Sequence, residues 1–234
     1  MVDLRLSIRV LCTLGLRGLL DEIMPALEGR GLYLSPSYGA TNLMMPRITS
    51  GEAADVAILT DAAIEGLVQD GTLVAGSRRD LARSSIGIAV KAGAPKPDIG
   101  TPESFKQALI AAKSIGFSRS GASGIHFANL IGQLGIADEV ARKARIFDGV
   151  VGALAAKGEV EIAVQQVSEL KLVDGIDIVG PLPEALQKVT VFSAGIFAAS
   201  ARPAAASLFI EALRTPNVAA VMRKQGLEPL NGTR

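Results

Sequence analysis

The stretch Ile8-Arg9-Val10-Leu11-Cys12-Thr13-Leu14-Gly15-Leu16-Arg17-Gly18 decides the fold class. Residues 8–12 form a short apolar run suited to a buried strand, and a glycine-bearing turn follows at once. Beyond it Leu16, Leu19, Leu20, Ile23 and Leu27 recur at helical spacing, so a helix packs one face back onto that strand. The same strand-then-helix unit recurs along the chain. Strands are expected at 33–37, 55–59, 84–91, 114–117, 160–164, 176–179 and 189–199. Helices are expected at 42–49, from Thr60 or Asp61 toward Gly71, from Thr101-Pro102, from a Ser123 cap, from Asp148 to Gly158, and from Pro203 and Pro216. This alternation predicts an α/β fold with mostly parallel sheets flanked by helices.

Composition narrows the function classes. The 234 residues are 49% apolar and 4% aromatic, and 24 basic against 23 acidic residues leave a formal charge of +1. That balance argues against a dedicated nucleic-acid binder, which carries a strongly basic face. One cysteine (Cys12) and one histidine (His126) exclude a disulfide framework within the chain and argue against a zinc site. No run of about 18 uncharged apolar residues is present, so no membrane insertion is expected. Charges interrupt residues 1–10 throughout, where a secretory leader needs an unbroken apolar stretch. As the sequence stands a cytoplasmic location is expected, or a periplasmic one if a signal peptide has been trimmed.

In parallel α/β sheets ligands gather at the carboxyl ends of strands, where loops feed helix N-termini. Three such junctions are polar and glycine-rich: residues 12–18, 35–42 and 117–126. Small residues let the backbone approach a ligand, and free amides at a helix start favour negative charge. Thr13, Thr41, Ser120 and Ser123 add hydroxyl donors, while Arg17 and Arg119 add permanent positive charge suited to carboxylates. Each residue alone also reads as an N-cap or a solvated surface charge; the three junctions together read as an anion site. No Walker loop, dinucleotide fingerprint or nucleophile elbow occurs, and no cofactor is implied. Cys12 ends an apolar strand and reads as a small buried residue rather than half of a Cys–His pair. One internal echo stands out: residues 47–58 and 154–164 share a helix end, a Gly-Glu turn and a buried strand.

The second junction carries a more specific resemblance. Ser37-Tyr38-Gly39-Ala40-Thr41-Asn42, followed by Arg47-Ile48 and Gly51-Glu52-Ala53-Ala54-Asp55-Val56-Ala57-Ile58-Leu59-Thr60, resembles the type II periplasmic binding proteins and, within them, the molybdate-binding receptors of ABC transporters. That subfamily also includes aconitate isomerase-like proteins. The resemblance implies two α/β lobes, residues 1–83 with 195–234 and residues 84–194, joined by crossings at 88–91 and 192–195 and closing over an interlobe cleft. It implies a small anionic ligand held by Thr13, Thr41 or Asn42, Ser123 or Gly124, Val150, and Gln165 where the family has a tyrosine. A partner ABC permease is implied if the protein is exported. The glutamine and the added Arg17, Arg119 and His126 depart from a neutral oxyanion pocket, so a di- or tricarboxylate is the preferred ligand over molybdate. Capture of that ligand is the first reading. The alternative is a cofactor-independent isomerase that shifts a proton along an unsaturated tricarboxylate, with His126 as base ahead of Glu169 and Tyr38.

Overall fold

The computed structural model describes residues 7–230, so the first six residues of the stretch read for a leader lie outside the described residues. The chain divides into two compact units, one of the described residues through Arg83 and from Thr190 on, the other Ser84–Val189. In the first, β1 (Ile8–Thr13), α1 (Arg17–Glu28), β2 (Leu34–Gly39), α2 (Thr41–Thr49), β3 (Val56–Thr60) and α3 (Asp61–Gln69) alternate, and β4 (Arg79–Ser84) leads out. The second unit holds β5 (Ile86–Lys91), α4 (Pro102–Ala111), β6 (Ile115–Phe117), α5 (Ala122–Gln133), α6 (Ala137–Ala141), β7 (Ala144–Ile146), α7 (Gly152–Lys157), β8 (Ile162–Gln166), α8 (Val167–Leu170) and β9 (Ile176–Pro181). The chain then returns through β10 (Thr190–Ile196), α9 (Pro203–Ala212), α10 (Pro216–Lys224) and β11 (Glu228–Pro229).

Both sheets are mixed rather than mostly parallel. The six-stranded sheet runs β11-β4-β10-β3-β1-β2, and β1 is parallel to β2 and β3 while β10 is antiparallel to β3. The five-stranded sheet runs β7-β6-β8-β5-β9, with β7, β6 and β8 parallel and β5 antiparallel to β8 and β9. β5 and β10, on which the chain enters or re-enters a unit, are antiparallel to their neighbours β8 and β3, and such a segment is not bound by the crossover rule that keeps strand–helix–strand repeats parallel; β11 is also antiparallel to β4. Residues 88–91, where one crossing was expected, lie within β5, and residues 192–195, where the other was expected, lie within β10. β5 pairs along its length within its own sheet, and residues 192–196 pair with β3. The chain changes unit at Ser84 and at Thr190, ahead of the expected 195.

Each parallel core is buried on both faces, as continuous apolar strands require. In the first unit Ile8, Val10, Cys12, Val56 and Ile58 pack with Leu16, Leu19, Leu20 and Ile23 on one face. Leu11, Ala57 and Leu59 point the other way and meet Met44, Ile48, Ile64 and Leu67 of α2 and α3. In the second unit Ile88, Ile115, Phe117 and Val164 pack under Phe105, Leu109, Phe127 and Leu130 of α4 and α5. Ala89 and Ala163 face Ala155 and Leu170 of α7 and α8. A capping box of Thr101 and Ser104, with Pro102 at the first helical position, starts α4 as expected.

The internal echo has a structural counterpart. Glu52 donates its backbone N–H to the Arg47 carbonyl (3.0 Å) and Glu159 to that of Leu154 (2.9 Å), while Gly51 and Gly158 adopt left-handed φ of 83° and 77°. The same glycine-terminated helix stop thus feeds β3 and β8, the strands that flank β1 and β6. Three strands escaped the expectation, β4, β7 and β11. Two helix starts also moved. The helix assigned to a Ser123 cap begins at Ala122 with Gly121 as its cap residue, and the helix placed at Asp148 begins at Gly152.

Candidate functional site

In the first unit the carboxyl ends of β1, β2 and β3 lie side by side, with Thr13 in register with Gly39 and Cys12 with both Tyr38 and Ile58. Each strand turns directly into a helical segment through the same extended residue. Thr13, Ala40 and Thr60 have φ/ψ of −62/148°, −62/148° and −63/149°, and none supplies a side-chain cap. First-turn amides at three adjacent strand ends therefore remain free of side-chain caps, an arrangement that favours an anion. Thr13 is buried here, the Thr41 hydroxyl accepts from the Thr60 amide (3.4 Å), and Asn42 is exposed.

Arg17 opens α1 at the same edge but is not a free charge. Its Nε contacts Asp21 Oδ2 at 3.3 Å, and its guanidinium lies 5.6 Å from the centre of the Tyr38 ring. The Tyr38 hydroxyl donates to Asp21 Oδ1 (2.8 Å). Burial and that carboxylate push the phenol far above its ordinary range, which removes Tyr38 as a base near neutrality. Cys12 donates to the Thr13 carbonyl, and burial raises its thiol so strongly that it is no nucleophile.

In the second unit β7, β6 and β8 also release the chain at one edge, because Phe117 stands opposite both Ile146 and Val164. The loop after β6 is pressed onto the first turn of α5. A Cβ built on Gly124 would lie 1.7 Å from the Ser118 carbonyl oxygen, so only glycine fits there. The Gly121 amide donates to Ser118 Oγ (2.9 Å), and Ser123 is buried in the first turn. Asp148, read from sequence as a helix start, accepts from the Ser120 amide (3.2 Å) and hydroxyl (2.8 Å) and from Ser118 Oγ (3.4 Å). Ser120, the Arg119 amide and the Arg119 charge hold its carboxyl below the usual range. Ser120 is thus engaged by a carboxylate of its own chain, while Arg119 is exposed.

His126 sits one turn into α5, with Nε2 2.9 Å from the Leu186 carbonyl. A carbonyl only accepts, so Nε2 carries the proton and the ring is fixed to the turn at Glu184–Leu186. Gln165, buried at the end of β8, spans the next loop: its Oε1 accepts from the Gly152 amide (3.3 Å) and its Nε2 donates to the Gly149 carbonyl (2.9 Å). It braces the half-buried Val150 turn instead of standing where a tyrosine would reach a ligand. Glu169 lies in the first turn of α8, and burial, only partly offset by the neighbouring Gln165 amide, pushes its carboxyl up to about 7. Asp148 was missed because its partners are 28 and 30 residues away, and Glu169 was ranked below His126 because burial does not show in spacing. Among the described residues no three His, Cys, Asp or Glu side chains cluster to hold a metal ion, and no helix is long and apolar enough to cross a membrane.

Residues 8–228 match the family of bacterial extracellular solute-binding proteins. The chain belongs to that family. Among curated members, the aconitate isomerase of a Pseudomonas species is 37% identical over 232 residues, covering 96% of this chain and 88% of that protein. Among solved structures, the periplasmic molybdate-binding protein of Azotobacter vinelandii superposes with a TM-score of 0.80 at 18% identity, covering 94% of this chain and 98% of the other. A sulfate-binding protein of Mycobacterium tuberculosis gives a TM-score of 0.76 at 16% identity over 96% and 87% of the two chains. These structures place the chain in the type II periplasmic-binding-protein fold that residues 37–60 resemble.

Proposed function

We propose that this solute-binding protein takes a small unsaturated tricarboxylate and interconverts its isomers, the activity for which its Pseudomonas relative is named. The observation that carries the reading is the identity of 37% across nearly the whole of both chains, set against 18% to the molybdate receptor. On residues alone, capture without chemistry comes first; the relative moves isomerisation ahead. The local chemistry agrees. Each unit presents uncapped helix starts at a strand edge, the second adds an exposed arginine, and both suit carboxylates. The reaction needs a base for a carbon acid and donors for the delocalised charge, with no metal or organic cofactor.

A second reading keeps the ligand and drops the chemistry: a receptor that delivers a di- or tricarboxylate to an ABC permease, supported by the family match. Molybdate is disfavoured under both readings, because Gln165 spends its amide on the Gly149–Gly152 turn. Calorimetry with cis-aconitate, trans-aconitate, citrate, molybdate and sulfate separates the ligands, and turnover of the aconitates separates isomerase from receptor. Binding of tricarboxylates with conversion supports the proposal. Tight molybdate binding with no response to tricarboxylates overturns it.

A further inference from the structure

The start of α1 belongs to the strand-edge site, where Arg17 stands beside Tyr38. The other end of the same helix borders a second concavity, which lies wholly within the first unit. From Glu22 to Arg30, about 12 Å at roughly 1.5 Å per residue, α1 and the turn after it line a groove whose opposite wall is the end of α9 and the body of α10. The groove encloses about 360 Å³, within the range of pockets that take small molecules. Ala26 and Ala212 give only a methyl each to its walls, which leaves the space open. Ile23, Leu27, Val218 and Val221 supply an apolar lining continuous with the core of this unit.

Polar groups close one end of the groove and leave the other charged. Both carboxylate oxygens of Glu22 are taken, one by Lys224 Nζ (2.7 Å) and one by Gln225 Nε2 (2.6 Å). Arg30 lines the groove, is exposed, and has no hydrogen-bond or ion-pair partner among the described residues. Its guanidinium keeps its charge at any working pH and offers a planar fork to a carboxylate. An apolar trough with an unpaired cation at its rim complements a molecule with an apolar tail and one anionic head. A tricarboxylate, charged along its whole length, gains nothing from such walls. Arg17 and Arg30 are about 20 Å apart along the helix, so one small acid cannot engage both.

We infer that this groove is a second binding site, for a medium-chain monocarboxylic acid of about eight carbons, whose extended length matches the course of the groove along α1. The alkyl chain lies along Ile23, Leu27, Val218 and Val221, and the carboxylate pairs with Arg30. The far end of the chain stops at the Glu22–Lys224–Gln225 cluster. Burial of the tail drives association, and the arginine sets its direction.

The test titrates octanoate into the full chain by calorimetry, beside butanoate, octylamine and octanol. Octanoate is expected to bind one per chain, with affinity rising about threefold per methylene from butanoate. Octylamine, with the same tail and the opposite charge, is expected to bind at least about tenfold more weakly. Arg30→Gln is expected to weaken octanoate at least about tenfold and to leave octanol unchanged, which separates head from tail. Ala26→Leu, which fills the groove with a good helix former, is expected to abolish binding of both. Both variants are expected to melt within about 3 °C of wild type and to keep its response to tricarboxylates. Four results overturn the assignment. Octanoate fails to bind saturably, or octylamine binds as tightly as octanoate. Octanoate is weakened by Arg119→Ala and not by Arg30→Gln, which moves the acid to the strand edge of the second unit. Sedimentation finds a wild-type dimer that Ala26→Leu dissolves, which gives the groove to a second copy of the chain. None of these readouts involves turnover, so the failure of this inference and that of the isomerase reading are told apart.

Discussion

Gly124→Ala isolates one feature of the candidate site, the pressing of the Ser118 loop against the first turn of α5. Helix propensity alone favours the substitution by up to about 1 kcal/mol, because alanine orders more cheaply than glycine within a helix. Packing opposes it. The new Cβ would sit 1.7 Å from the Ser118 carbonyl oxygen and 2.6 Å from its carbon, both backbone atoms that cannot rotate aside. An ordinary contact needs at least roughly 3.4 Å, so loop and helix must part by about 1.7 Å. That displacement costs about 1–3 kcal/mol of strain, and it loosens the Gly121–Ser118 and Ser120–Asp148 hydrogen bonds at about 1 kcal/mol each. The balance is a net loss of roughly 2–4 kcal/mol. Gly132→Ala in the same helix is the control: nothing lies within 4 Å of its Cβ, so propensity acts alone. Thermal unfolding followed by circular dichroism should show Gly124→Ala melting roughly 5–12 °C below wild type and Gly132→Ala about 1–3 °C above it. A Gly124→Ala protein as stable as wild type would refute the close approach.

Further perturbations address charge and burial. Glu169→Gln should change stability with a definite pH sign. The folded carboxyl keeps its proton up to about 7 and the unfolded one loses it near 4.5. The stabilisation specific to the protonated form is therefore complete below pH 4.5 and lost as pH rises to 7. Urea unfolding should find the glutamine variant gaining over wild type across that window by roughly 1–3 kcal/mol, the lower figure reflecting partial exposure of the side chain. A difference that does not vary with pH would contradict the burial of the carboxyl. Arg119→Ala should weaken tricarboxylate binding at least about tenfold in calorimetry, with thermal stability unchanged. Asp55 is fully buried and accepts from the Arg9 amide (2.9 Å) and Ser200 Oγ (2.8 Å), with Arg9 and Arg202 guanidinium groups 3.8 and 3.7 Å away. Asp55→Ala should therefore cost about 2–4 kcal/mol in the same urea assay. Cys12 should resist a disulfide reagent in the native protein and react once on denaturation.

Where the sequence carried local information, the fold was legible. The unbroken apolar run of β3 and the stripe Leu19, Leu20, Ile23 and Leu27 on α1 are each buried as their periods require. β4 was not legible, because Arg79, Asp80 and Arg83 break any apolar pattern. Its strand state depends on distant partners: Ser193 donates to Asp80, and Arg83 pairs with Glu228 of β11. The site divides in the same way. The need for small residues at the 117–126 junction could be read locally and is met by Gly124. The roles of His126 and Asp148 could not, since a carbonyl 60 residues from the histidine and a serine loop 28 residues before the aspartate decide them. His126 and Glu169 each had a plausible acid–base reading in one dimension, but the carbonyl that fixes the His126 tautomer and the burial that raises the Glu169 carboxyl show only in the fold.

The central claim is that this chain performs a proton shift and does not merely hold an acid. Incubating purified protein separately with cis-aconitate and with trans-aconitate, and measuring the isomer ratio by liquid chromatography over time, tests it most directly. The account predicts that both mixtures converge on the same ratio at a rate proportional to protein concentration. Unchanged isomers at high protein concentration, with binding of either isomer demonstrated, would contradict it.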